Sequence, residues 1–320
     1  MDRTTVVIPN YNGIQYIENC LQSLREGTII PKVIVVDNGS QDGSLSLVKE
    51  RFPEIRVIEM GENTGFCKAV NVGIQAADTE YVLLLNNDTV AEKGMVAGLE
   101  AALNEDRQVF SAAAKMVSLH KPDQLDGAGD FYCALGWAYS RGKDQPSSRY
   151  SQPGRIFSSC AGAAIYRHEL FEKIGYFDEN HFAYLEDMDI GYRANIYGYH
   201  NRYVPDAVVY HAGSGVSGSR HNEFKVSLSS RNSIYLIYKN MPLLQILINL
   251  PFLIPGYLIK LFFFALKGLG GVYFKGICKG ISLSCSKEGR KNKVHFSIKN
   301  LKNYFWIQGQ LWINVVRRVL

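Results

Sequence analysis

No pair of the six cysteines, Cys20, Cys67, Cys133, Cys160, Cys278 and Cys285, has C-x-x-C spacing. That excludes a zinc ribbon or a thioredoxin-type site and favours reduced, structural thiols. No G-x-G-x-x-G follows the first apolar run, which disfavours a dinucleotide-binding dehydrogenase. The start, MDRTTVVIPNYN, lacks the charged, apolar and small-residue sequence of a signal peptide, so the catalytic part is expected in the cytoplasm. Internal repeats and low-complexity runs are absent. Acidic side chains nearly vanish after Asn240: twelve Lys or Arg face one acid, Glu288, a charge of +11. Residues 1–239 carry the other 23 basic and 29 acidic side chains, or −6. A basic tail implies an anionic partner. Its high apolar content points to an anionic membrane surface rather than to nucleic acid.

What is present begins with an alternation. Thr4–Pro9, Lys32–Asp37, Ile55–Glu59 and Tyr81–Asn86 read as strands. Between them Ile14, Ile17, Leu21 and Leu24 recur at helical spacing, as do Leu45, Val48 and Phe52, and Ala69, Val70, Gly73, Ile74 and Ala77. A further helix is expected over Gly94–Leu103. Apolar strands alternating with amphipathic helices predict an α/β fold with a mostly parallel sheet covered on both faces. Beyond Val109–Met116, residues 120–155 read as loops and a hairpin, Phe157–Arg167 as a strand, Leu170–Ile174 and Glu186–Tyr197 as helices, and Arg202–Tyr210 as a last strand. Residues 242–266 are the most apolar stretch. Pro251, Pro255 and Gly256 break it, which predicts a pair of short interfacial helices rather than one span.

Ligands of such sheets bind beyond the strands' carboxyl ends, and polar clusters stand there. Asp37 ends the second strand, where a carboxylate can accept from a nucleobase imide or merely cap the next helix. Asn63, Gly65 and Lys68 precede or open a helix whose N–H groups and ammonium suit a diphosphate; a plain turn is the alternative. Asn86, Asn87 and Asp88 follow the fourth strand, where a carboxylate can hold Mg²⁺ or Mn²⁺ against diphosphate oxygens, or form an Asx turn. The acidic run Glu186, Asp187 and Asp189 opens a helix. Acids there complement the helix dipole, but together they also provide a general base with orienting neighbours. His211, just past a strand, can supply a metal-binding nitrogen.

Taken in order, VVIPNYN at 6–12, VVDNGSQDGS at 35–44, NTGFCKAVNVGI at 63–74, YVLLLNNDT at 81–89, CAGAAIYRHELFEKIGYFDE at 160–179, LEDMDIGYR at 185–193 and His211 with Gly213 and Ser214 resemble the family 2 glycosyltransferases of the GT-A fold. The likeness is strongest to their bacterial rhamnosyltransferase-like branch. It implies a Rossmann-like GT-A domain over residues 1–239, with a nucleotide-sugar half to about residue 116 and an acceptor half over 117–239. Residues 240–320 would form a membrane-associating helical region on the cytoplasmic face. By resemblance, Asp37 reads the base of a nucleotide-sugar donor, with Pro9, Tyr11, Asn63, Gly65, Lys68, Asn86 and Asn87 beside it. Asp88 and His211 hold a divalent metal. Asp187, supported by Glu186, deprotonates the hydroxyl of a lipid-linked or saccharide acceptor, with Tyr184 and Asp189 on the acceptor side. The first carboxylate of the family's D-x-D motif is Asn86 here, which implies fewer charges on the metal. An alternative expectation is therefore a catalytically weak nucleotide-sugar-binding protein at the membrane.

Overall fold

The computed structural model describes residues 3–213 and 221–319; Ser214 lies outside the described residues. The first half follows the expected alternation: β1 (Thr4–Asn10), α1 (Ile17–Arg25), β2 (Lys32–Asp37), α2 (Ser44–Arg51), β3 (Arg56–Glu59), α3 (Phe66–Ala76) and β4 (Tyr81–Leu85). Then come β5 (Thr89–Ala91), α4 (Met95–Glu105) and β6 (Val109–Ser118). Period-2 geometry divides the strands' side chains between two cores. Val6, Ile8, Leu83 and Leu85 join one cluster with α1 and α4, whereas Val7, Val82 and Leu84 join another with α3. Gly73 lets α3 approach the sheet closely, because a Cβ there would lie 2.2 Å from Val7 Cγ1.

The second half adds short β7 (Leu125–Gly127), the hairpin β8 (Asp130–Cys133) and β9 (Trp137–Ser140), β10 (Gly154–Ile156), β11 (Ala163–Arg167), α5 (Phe171–Ile174), α6 (Glu186–Ile196) and β12 (His200–His211). The path through the ten-stranded sheet is β10-β12-β6-β11-β4-β1-β2-β3, with β5 and β7 on its margins. Among its longer members only β11 runs against the rest, pairing antiparallel with both β4 and β6. Strand character begins at Ala163 rather than at Phe157. Residues 157–162 instead form an irregular turn, which brings Cys160–Gly162 to the mouth of the sheet. In β12, Pro205 cannot donate to a ladder, and the register with β6 slips between Val204 and Val208.

Helix α7 (Glu223–Asn240) leads into the tail, which comprises α8 (Leu243–Leu266), α9 (Gly270–Cys285), α10 (Lys287–Lys291) and α11 (Leu301–Val319). Here the expectation of two short helices is corrected. Helix α8 is continuous through Pro251 and Pro255. Proline removes a hydrogen bond and crowds the preceding turn. Contacts along the helix outweigh that loss: Gln245 bonds Tyr192, Asn249 bonds Gln308, and Gly256 accepts from the Trp137 indole. Leu236, Leu253, Ile307 and Leu311 share a core with Phe131, Phe157 and Tyr192 of the second half.

Candidate functional site

A cleft of about 980 Å³ opens where β1, β2 and β4 end, opposite the start of α6. Pro9, Tyr11, Asn63, Gly65, Asn86 and Asn87 all line it. Asn10 stitches the strand ends together: its amide donates to Asp37 (3.0 Å) and its carbonyl oxygen accepts from Asn87 (2.8 Å). Asp37 is buried, its other oxygen accepting from Ser40 N–H (3.0 Å). The member of that turn lining the cleft is Asn38, which accepts from Thr64 N–H and donates to Asn63. Lys68 is placed differently from the expectation. It is exposed on α3 and does not line the cleft. The Cys67 N–H at that helix start is also committed, donating to the Phe182 carbonyl (3.2 Å). Gly65 permits this contact: at φ 87°, a Cβ would sit 2.6 Å from the Phe182 ring.

Asp88 and His211, 123 positions apart, meet because β12 pairs with β5, His211 opposite Thr89. His211 Nε2 lies 3.2 Å from Asp88 Oδ1 and 3.4 Å from the Asn86 amide nitrogen. His211 Nδ1 faces Asp126 Oδ2 at 2.7 Å, and Lys143 pairs with Asp126. Burial alone would depress the imidazole's pKa, but the two carboxylates outweigh it and hold it up at about 9. A carboxylate oxygen and an imidazole nitrogen 3.2 Å apart, with the far ring nitrogen fixed by a second carboxylate, fit a divalent cation that displaces the imidazolium proton. Asp126 was not anticipated; the D-G-x-G-D run in the irregular segment was its only signal.

The other wall is the start of α6. Phe182, Tyr184 and Leu185 have φ of 63°, 71° and 68°, unusual for side chains of this size. Asn232 of α7 pins this turn, its amide within 2.9 Å of the His181, Ala183 and Tyr184 carbonyls. Strain of this kind persists where the surroundings over-determine it and often accompanies function. Beyond it, Glu186 and Asp187 both line the cleft. Burial pushes the Asp187 carboxyl up to about 6, against bonds from the Met188 and Ala161 amides and the Cys160 thiol. Burial, then the neighbouring Asp187 charge, pushes Glu186 up to about 8, and Glu186 Oε2 has no hydrogen-bond partner. At neutral pH Asp187 is therefore ionised and Glu186 protonated, a separation that lets adjacent carboxyls serve as base and acid.

Tyr184 also lines the cleft. Asp189 does not. It is fully buried beneath α6, bonded to Arg193 (2.9 Å), Lys239 (2.9 Å) and Asn240 (2.8 Å). Its expected place on the acceptor side is corrected: two cations and an amide hold it as part of the framework joining α6 to α7. The charges of Arg193 and Lys239 overcome burial and keep its carboxyl well below the usual range. The structure supplies another acid instead. Asp130, on the β8–β9 hairpin, lines the cleft with ligand atoms of Cys160 and Asp187 all within 4.8 Å of one another. Burial and then the Asp187 charge push the Asp130 carboxyl well above its usual range.

A mostly parallel sheet with an open cleft and a cluster of acids at its carboxyl edge is the GT-A architecture of glycosyltransferases. The profile described as Glycosyl transferase family 2 matches residues 5–175, more than half of the chain. Over 268 residues the chain is 29% identical to the N-acetylglucosaminyl-diphospho-decaprenol L-rhamnosyltransferase of Mycobacterium tuberculosis, covering 72% of this chain and 86% of that protein. The fold is similar to that of S. aureus TarS in complex with UDP-GlcNAc, with TM-score 0.62, 19% identity and coverage of 97% and 91%. It is also similar to a mannosyltransferase from Pyrobaculum calidifontis in complex with GDP-Man and Mn²⁺, with TM-score 0.54, 20% identity and coverage of 97% and 84%. The chain belongs to glycosyl transferase family 2, and its rhamnosyltransferase relatives support the branch expected from its motifs.

Proposed function

We propose that this protein transfers a sugar, with inversion, from a nucleotide diphosphate to the hydroxyl of a lipid-linked or polysaccharide acceptor in cell-surface polysaccharide synthesis. The observation that carries the reading is one cleft faced by both an ionised Asp187 and the Asp88–His211 pair. Asp187 accepts the acceptor hydroxyl's proton while that oxygen bonds to the anomeric carbon. The bond from that carbon to the diphosphate oxygen breaks, and the nucleotide diphosphate leaves with the electron pair. Attack from the opposite face inverts the centre, and no covalent enzyme intermediate is required. Asp88 and His211 would hold Mg²⁺ or Mn²⁺, which when bound offsets charge growing on the leaving diphosphate. Asn86 and Asn87 supply uncharged hydrogen-bonding groups there, and Asp37 and Asn38 organise the nucleobase end. Residues 1–239 carry this chemistry, and 240–320 place it at the cytoplasmic face of the membrane.

The relative's rhamnosyl transfer to a diphospho-polyprenol favours dTDP-rhamnose as donor and a lipid-linked saccharide as acceptor; UDP-sugars are the second choice. The test is a donor screen reading nucleotide diphosphate release with Mn²⁺, with the product's anomeric configuration determined by NMR. Release from one donor and an inverted product are expected. A retained configuration overturns the single displacement, and no release from any donor, with binding intact, leaves only a nucleotide-sugar-binding protein.

A further inference from the structure

Helix α8 is built inside out. Its inward stripe, Gln245, Asn249, Leu253 and Gly256, is buried, and half of it is polar. Every part of that stripe is engaged with the body: Tyr192 on α6 donates to Gln245, the Gln308 and Trp312 side chains of α11 bond Asn249, and Leu135 lies against Gly256. The opposite face is apolar and open, with Leu247, Ile254, Leu258 and Phe262 exposed by 52%, 57%, 59% and 66%. At 24 residues the helix is long enough, roughly 36 Å, to cross a bilayer. It cannot do so while docked to the catalytic body along its length, and undocking would strand Gln245 and Asn249 in hydrocarbon, which is costly. Cations border the open face. Lys267 ends α8 over the Phe263 ring, and Lys275 and Lys279 are exposed on α9, which packs beside it. This charge is complementary to anionic headgroups.

The cleft lies toward the C-terminal end of this helix. Phe224, 53% exposed, lines the cleft and meets the Phe182 and Tyr184 rings edge-on at 6.3 Å. Three residues earlier, His221 contacts the Phe263 and Phe264 rings of α8 at 5.7 and 5.8 Å. Rings thus lead from the cleft mouth to the C-terminal end of α8.

We propose that α8 lies flat in an anionic lipid surface, sunk by its outer face without crossing it, and that the cleft opens at the same surface so that a lipid-carried acceptor enters from the bilayer. The last clause rests on the transfer reading; the docking does not, and its test uses no sugar. The full chain should sediment with phosphatidylcholine vesicles containing phosphatidylglycerol and more weakly with phosphatidylcholine alone. Leu258→Glu with Phe262→Glu should reduce binding at least tenfold, leaving the melting temperature and UDP or dTDP binding unchanged. Spin labels placed singly at Leu247, Ile254 and Phe262, with Cys278→Ser and Cys285→Ser, should report one shared depth, and a label at Phe224 should sit at headgroup level. A spanning helix would spread the first three by roughly 22 Å. Such a spread, undiminished binding of the double variant, or a dimer closed through α8 that ignores vesicles would overturn the docking. A Phe224 label far from the headgroups would overturn the route to the cleft.

Discussion

If Asp187 is the base, Asp187→Asn should cost activity and raise stability together. The carboxyl sits at about 6 rather than its usual 3.8 because burial disfavours its charge. The folded state therefore prefers the protonated form. Below about pH 3.8 this has no consequence. Between 3.8 and 6 the unfolded chain ionises first and stability falls, and above 6 the penalty is complete. A shift of that size corresponds to at most about 3 kcal/mol at pH 7. Asparagine avoids the charge and keeps the bond from Met188 N–H, but turns an amide donor toward the Ala161 N–H, which takes back roughly 1 kcal/mol. Net stabilisation of about 2 kcal/mol at pH 7 is expected, shrinking or reversing at pH 4. Transfer should fall by about 10²–10⁴ with donor binding retained. In the wild type, kcat/KM should drop about tenfold per pH unit below 6. The assays are paired thermal melts at pH 7 and pH 4, and steady-state kinetics across pH. Near-normal turnover, or a variant less stable than wild type at pH 7, refutes the reasoning, and Glu186 becomes the next candidate.

Asp88→Ala should abolish transfer while nucleotide binding persists in part, and Asn86→Ala should cost less because its amide brings no charge; full activity in excess chelator would remove the metal from the mechanism. Asp126→Ala should raise the Mn²⁺ needed for half-maximal activity by about 10–100-fold by freeing His211; an unchanged Mn²⁺ titration would show that the contact orients nothing. Asp189→Ala leaves Arg193 buried without a carboxylate while Lys239 keeps Asp178, so denaturant unfolding should report a loss of about 3 kcal/mol. Normal stability with weakened acceptor binding would restore Asp189 to the acceptor side.

The N-terminal half was legible because its information is local. Each polar cluster directly follows a strand whose burial is visible in composition, and period-2 alternation sends Val6 and Val7 to opposite cores. The acidic run of α6 was visible as a group, but its division of labour was not. Asp187 and Asp189 stand two positions apart on a helix and so point about 200° away from each other. One reaches the cleft and the other turns inward to Lys239, fifty residues later. Lys68 misled for a similar reason: helix phase carries it to solvent while Gly65 and Phe66 stay at the cleft.

What sequence reading could not reach depends on pairings between distant segments. Asp126 and Asp130 lie in a stretch without periodicity, and they matter only because β12 brings His211 to one and the turn at Cys160 brings Asp187 to the other. Helix α8 exposes a different limit. Proline is a strong local signal for a break, yet the helix runs on through Pro251 and Pro255, and apolar length alone does not say whether it spans. The deciding residues are Gln245 and Asn249, which read locally as interruptions of an apolar run. In the fold they are the docking stripe, bonded to Tyr192, Gln308 and Trp312 on the side opposite the exposed apolar face. Replacing them with leucine would make the sequence look more like a membrane span while removing what positions the helix.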